Sequence, residues 1–151
     1  QLIGHVHDET ACFFGGVQGN AGLFSNANDL AKLCQMWLNK GTYGNERILS
    51  PKTVELFLTE KSSTSRRGLG FDKPDMENPE KSPTAIEASA STIGHLGFTG
   101  TCFWIDPEQE LIYIFLCNRV YPSRTHDALS QLNIRPELFS TIYRSIKNHS
   151  K

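Results

Sequence analysis

The sequence predicts an α+β protein, with helices packed on an antiparallel β-sheet and all of residues 1–151 in a single, partial domain. Three observations carry this. Apolar residues recur at helical spacing after Ser25, after Ser50 and after Pro136. Two short apolar runs, 101–105 and 111–116, flank the polar turn Asp106-Pro107-Glu108-Gln109-Glu110 and read as a β-hairpin. The order along the chain is two helices, a strand, a hairpin, then one or two helices, with no internal repeat.

The elements follow in order. Residues 1–14 show no clean period, but His5, His7, Asp8 and Glu9 form a dense polar cluster, HVHDE. Two histidines two apart share a face only on a strand. A metal site at His5, His7 and Asp8 is therefore a minor reading beside a hydrogen-bonded loop. The segment 15–25, GGVQGNAGLFS, carries four glycines, so its backbone takes special dihedrals or approaches other groups closely. It lacks the Gly-Lys-Ser/Thr ending of a phosphate loop and no strand precedes it, so it is not a nucleotide fingerprint either.

Ser25 or Asn26 caps a helix whose apolar face is Leu30, Leu33, Cys34, Trp37 and Leu38, with Asp29 favourably placed in the first turn and Gly41 in the C′ role. Tyr43-Gly44-Asn45 is a turn. Ser50 at N-cap and Pro51 at N1 open a second helix, with Val54, Phe57 and Leu58 inward and an end at 59–61. Residues 62–67 read as a polar linker and 67–72, RGLGFD, as a short strand. Residues 73–89, with three prolines and four acidic residues, read as an irregular surface loop bordering a cleft. The run LIYIFL at 111–116 is apolar on both faces, so it is central or covered on both sides. Residues 119–125 form a turn. Leu129, Leu132 and Ile134 suggest a short helical piece before a last helix with the face Leu138, Phe139, Ile142, Tyr143 and Ile146. Asn148-His149-Ser150 fits a glycosylation sequon in a polar tail, to which no weight attaches.

Composition excludes several classes. With 38% hydrophobic and 21% charged residues the chain reads as an ordinary globular protein. A net charge of −1 gives no electrostatic case for nucleic acid or an anionic membrane, and no apolar run spans a bilayer. The four cysteines, Cys12, Cys34, Cys102 and Cys117, form no C-x-x-C pair and read as free thiols, with a Cys102–Cys117 bridge left open. The start Gln-Leu-Ile-Gly, without initiator Met or signal peptide, predicts a piece cut from a longer chain.

The chemistry concentrates in His95-Leu96-Gly97-Phe98-Thr99-Gly100, just before the hairpin. Its glycines allow tight backbone geometry and its histidine can carry a proton or a charge. Taken with the Gly-rich loop, the helices SNANDLAKL and LSPKTVELF, and WIDPEQELIYIFLCNRVYP, this hexad resembles the serine β-lactamase-like superfamily. The branches are class C β-lactamases, their esterase relatives and low-molecular-weight penicillin-binding proteins, and the match is to the C-terminal portion of that fold. In that family a Ser-x-x-Lys, a Tyr-x-Asn and a Lys-Thr-Gly or His-Thr-Gly make the site. The resemblance gives His95, Gly97 and Phe98 catalytic roles: His95 lends a proton donor or charge, Gly97 leaves room for substrate, and the Phe98 N–H is one of two oxyanion donors. It places Leu96, Thr99, Gly100 and Asn20 at the substrate. Leu96 stands where relatives often carry a hydroxyl that holds a substrate carboxylate, and leucine donates no hydrogen bond.

No lysine has a serine three residues before it, so the chain contains no Ser-x-x-Lys, and no Gly-x-Ser-x-Gly exists either. Tyr43-Gly44-Asn45 fits Tyr-x-Asn literally but reads as an ordinary interhelical turn. The resemblance thus implies a fragment of a bacterial serine hydrolase, extracytoplasmic and facing the cell wall. Its substrate is an amide, an ester or a peptidoglycan-like molecule, and no cofactor or metal takes part. Its partner is the missing N-terminal part of the same domain, and the isolated chain is inactive. Exposed apolar surface at the missing interface predicts a homodimer. The alternative is a degenerate, non-catalytic module that binds wall fragments or a partner protein.

Overall fold

In a computed structural model the described residues are 3–59 and 63–149. Three strands form the centre: β3 (Ile93–Leu96), β4 (Cys102–Asp106) and β5 (Leu111–Phe115), antiparallel in the order β3-β4-β5. Around them, in chain order, lie α1 (Glu9–Phe13), α2 (Ala27–Leu38), the small hairpin β1 (Thr42–Tyr43) and β2 (Glu46–Arg47), α3 (Pro51–Thr59), α4 (Ala128–Gln131) and α5 (Ile134–His149). Residues 60 and 61 at the end of the second predicted helix, Ser62 of the linker and Ser150 of the sequon lie outside the described residues.

Strand alternation sends the sheet's side chains to two separate cores. On one face Cys102, Trp104 and Tyr113 pack with Phe139 and Tyr143 of α5 and with Ala85 and Ala88. On the other, Ile93 and Ile105, with Phe103, Ile112 and Ile114, pack against Cys34, Trp37 and Leu38 of α2 and Phe57 and Leu58 of α3. The result is a layer of strands between helices. Each fully buried large side chain contributes about 1.5–3 kcal/mol relative to exposure. LIYIFL is accordingly covered on both faces, yet it is the edge strand and not a central one; β4 takes the centre.

The helix starts obey their caps. Asn26 accepts from the Asp29 N–H at 3.1 Å, and Ser50 Oγ accepts from the Thr53 N–H at 3.0 Å. The end of α2 differs by one residue from the prediction. Lys40, at φ +53°, is C′, its N–H bonding Trp37 O, while Gly41 is C″ and reaches Met36 O.

Three further predictions are corrected. RGLGFD makes no strand; only Asp72 bridges Gly94, because Gly70 at φ +80° turns the chain away from extension. Asp72 is buried there and takes Arg66 at 2.8 Å. Residues 73–89 are irregular, but Ser82, Thr84, Ala85 and Ala88 are buried, the two alanines in the core with Phe139 and Tyr143 of α5, and Glu87 holds Arg144 at 2.9 Å. The last helix begins at Ile134, two residues before Pro136, and its predicted face splits. Phe139 and Tyr143 point inward, while Leu138, Ile142 and Ile146 are exposed.

One buried carboxylate ties these layers together. Asp106, fully buried at the end of β4, accepts from the Ser89 hydroxyl (2.7 Å), the Ser89 N–H (3.1 Å), the Glu108 N–H (3.0 Å) and Tyr143 Oη (2.5 Å). Burial pushes its pKa up. The bonds from Tyr143 and Ser89 outweigh that and hold it below the ordinary carboxylate value, while burial and Asp106 together push the Tyr143 phenol up.

Candidate active site

His95 and Leu96 end β3, opposite Phe103 and Cys102 of β4. This strand carries no strong sequence signal, because it is short and contains Gly94. A Cβ at Gly94 would stand 2.1 Å from Phe103 O and 2.5 Å from the Trp104 ring, so glycine is what lets β3 pair with β4 over that indole. The loop that follows closes tightly. The Gly97 N–H donates to Thr101 O at 2.7 Å, and the Gly100 N–H donates to Gly97 O at 3.0 Å. Gly100 has φ +109°, and a Cβ there would meet Cys117 Sγ at 2.5 Å.

This closure aims one donor outward. In a trans peptide the C=O and N–H point in opposite directions. The Gly97 carbonyl is turned into the loop toward Gly100, so the Phe98 N–H, in the same peptide, points out of it. Among the described residues the Phe98 N–H has no acceptor.

His95 is half-buried beside this donor. Its Nδ1 lies 2.7 Å from Leu96 O. A carbonyl only accepts, so Nδ1 carries the proton and Nε2 is left as an acceptor when the ring is neutral and a donor when it is charged. The side chain of Leu96 leaves on the other face, packs against the α5-side core and lines a cavity of about 240 Å³ with Leu129, Arg135 and Lys81. His95 and Leu96 therefore share a strand end but not a side-chain environment.

Phe98 itself is exposed and surrounded by cations. The Arg119 guanidinium stands 4.6 Å from its ring centroid and that of Arg124 5.6 Å. His7 stacks on the ring at 5.5 Å with 28° between the planes. Arg119 Nε also donates to Phe98 O at 2.8 Å, and its main-chain N–H donates to Thr99 O at 2.9 Å. Arg124 pairs with Glu9.

The HVHDE cluster thus has structural employment. Asp8 caps α1 through the Ala11 N–H at 2.7 Å and accepts from Asn20 Nδ2 at 3.3 Å, Glu9 takes Arg124, and His7 takes Phe98. Among the described residues no group of three or more His, Cys, Asp or Glu is placed to hold a metal ion. Asn20 is joined to the Phe98 neighbourhood through Asp8 and the adjacent His7. Tyr43 sits in β1, on the hairpin beside α2. Arg119 and Arg124 were not singled out from the sequence, and His7 was read only within the HVHDE cluster, not as a partner of Phe98. Arg119 lies 21 residues from Phe98, and only the pairing of β4 with β5 brings its turn back beside the hexad.

The end of β3 thus holds a histidine beside a backbone donor that faces out of its loop. The chain belongs to the β-lactamase family of serine hydrolases, matching it over residues 3–135. Relatives from Salmonella paratyphi B, Salmonella newport and Salmonella heidelberg, each described as "Putative D-alanyl-D-alanine carboxypeptidase", are 39% identical over 140 residues, or 91% of this chain. That match is 31% of each relative, so the chain spans about a third of their length. A solved structure described as a "putative beta-lactamase" from Bacteroides dorei overlaps 87% of this chain and 46% of its own, with 18% identity and a TM-score of 0.46.

Proposed function

We propose that this chain is the C-terminal part of a serine hydrolase domain whose nucleophile lies in a separate, upstream segment. The observation that carries the reading is the Phe98 N–H, unpaired and turned out of its loop beside His95. In the acylation step a serine oxygen adds to the substrate carbonyl, and negative charge develops on the carbonyl oxygen. A fixed N–H aimed at that oxygen is worth more there than in water, since it needs no reorganisation. His95 Nε2, protonated, donates toward the same region or holds positive charge there. Departure of the amine or alcohol leaves an acyl-enzyme, which water then hydrolyses.

The names of the Salmonella relatives favour a peptide amide of the D-alanyl-D-alanine kind. The Leu96 side chain lies on the face away from His95, in the α5-side core, so it makes no contact with a terminal carboxylate, and an ester is open as the substrate in its place. The setting we infer is bacterial and extracytoplasmic, facing the cell wall. The apolar residues left outward, Phe13, Val17, Leu23 and Phe24 near the start and Leu138, Ile142 and Ile146 on α5, are where the rest of the domain would seat. Without it, the chain is expected to pair with a second copy.

Labelling with a fluorescent penicillin or a fluorophosphonate tests the reading. The 151-residue chain should remain unlabelled, and the longer gene product should be labelled once, at a serine of a Ser-x-x-Lys. Labelling of a serine within residues 1–151 overturns the division of the site. An unlabelled longer product replaces the enzyme reading with the non-catalytic wall-binding module.

A further inference from the structure

The geometry points to Arg119 as a positioning residue that fixes the direction of the Phe98 N–H, a role that rests on the acyl-transfer reading above. Two peptides flank the Phe98 Cα. The one before it is held by the Gly100 N–H on Gly97 O, at 3.0 Å. The one after it is held by the Arg119 side chain, Nε on Phe98 O at 2.8 Å, and the peptide beyond that by the Arg119 main-chain N–H on Thr99 O at 2.9 Å. The guanidinium also covers the Phe98 ring at 4.6 Å. With both peptides and the ring pinned, no torsion at Phe98 is left to swing the N–H.

Arg119 is itself braced. Its Nη1 donates to His126 O at 2.8 Å and to Arg124 O at 3.2 Å. A planar fork with fixed donor directions can grip two carbonyls on one side and a third on the other; an ammonium on a flexible stem cannot. The need for such a brace follows from the loop's composition. Gly97 and Gly100 supply the close turn but resist reorientation poorly, so rigidity has to come from outside the loop. Arg119 supplies it from the turn after β5.

The test has two readouts. In the 151-residue chain, nitrogen relaxation should give the Phe98 amide an order parameter near the rigid value of about 0.85, falling toward about 0.6 in Arg119→Ala. Amides of Trp104 and Phe139 should be unmoved in the same variant. Arg119→Lys should restore little of the order, and guanidinium ion added to Arg119→Ala should restore part of it. An unchanged Phe98 amide in Arg119→Ala overturns the proposal. Should that variant lose its fold, Phe98→Leu decides: it keeps the carbonyl grip and loses only the ring contact. Its residue-98 amide must then stay ordered, and disorder there overturns the carbonyl grip.

The second readout is acylation of the longer gene product. Arg119→Ala should lower the acylation rate constant about 10- to 100-fold, as a misplaced group does, with the dissociation constant of the encounter complex unchanged. An equal rate in the variant overturns the role in chemistry. A wild type that is never acylated overturns the functional reading instead, and the relaxation result still judges the positioning claim.

Discussion

The sheet with its two helical layers and the segment from Ile3 to Phe24 treat the same kind of residue in opposite ways. In the sheet, Trp104 is 1% exposed and Ile93 and Phe139 are fully buried. In the N-terminal segment Phe13, Val17 and Leu23 are each 82% exposed, and the segment encloses an open cavity of about 440 Å³ lined by Gly15, Gly16, Val17, Gly22 and Phe24. The contrast marks where the chain is self-sufficient. Residues that alternate along paired strands find partners within the chain. Residues beside a glycine-rich loop do not, although the stretch before it is anchored through Asp8, Glu9 and His7. The anchored end meets the Phe98 turn, so the candidate site lies where the two regions join.

The largest expected effect follows from the buried side of the comparison. Trp104→Ala should cost about 3–5 kcal/mol, read from urea unfolding, because it opens a cavity between β4 and α5. A loss under about 1 kcal/mol would erase the distinction between the two regions.

Asp106 comes next. Asp106→Ala leaves the Ser89 and Tyr143 donors buried without their acceptor and should cost about 3 kcal/mol. The pH dependence has a fixed sign. The folded value of Asp106 lies below the ordinary 3.8, so its stabilisation is complete above that value and is lost as pH falls through the folded value. Asp106→Asn should therefore flatten the stability profile below about pH 4, and an acid limb identical to wild type would place the titration elsewhere.

Thiol labelling sharpens the same contrast. Burial pushes Cys34 up to about 11 and Cys102 up to about 12, whereas Cys12 is exposed in the N-terminal segment. At neutral pH a maleimide should modify Cys12 in the native chain and reach Cys34 and Cys102 only on unfolding. Native labelling of Cys34 would mean that the α2 layer opens.

The legible parts of this fold were those whose signals are local. Asn26, Ser50 and Pro51 announce helix starts within four residues, and the turn at 106–110 announces its hairpin. β3 was not announced, since Ile93-Gly94-His95-Leu96 owes its extension to β4. RGLGFD misled because its apolar residues resemble a strand while Gly70 adopts a positive φ. On α5 the apolar list was right, but spacing alone could not say that Phe139 and Tyr143 face the sheet and Leu138, Ile142 and Ile146 do not. At the site, His95-Leu96-Gly97 stood out by resemblance. The Phe98 clamp did not, since a hydrogen bond between residues 21 apart follows from topology and leaves no periodic trace.

The smallest effect on stability is expected on the exposed side, and it tests the comparison most directly. Phe13→Ser with Phe24→Ser removes two large apolar side chains that are 82% and 66% exposed. Little burial is lost, so unfolding should change by no more than about 0.5 kcal/mol per substitution. Association should respond differently, because an apolar patch left in water drives pairing whatever its share in folding. Sedimentation at high concentration should find the wild-type chain self-associated and the double variant monomeric. A wild type that is monomeric throughout removes the case for pairing through this face. A large loss of stability in the variant would mean that the segment is packed against the fold after all, and the contrast between the two regions would fall with it.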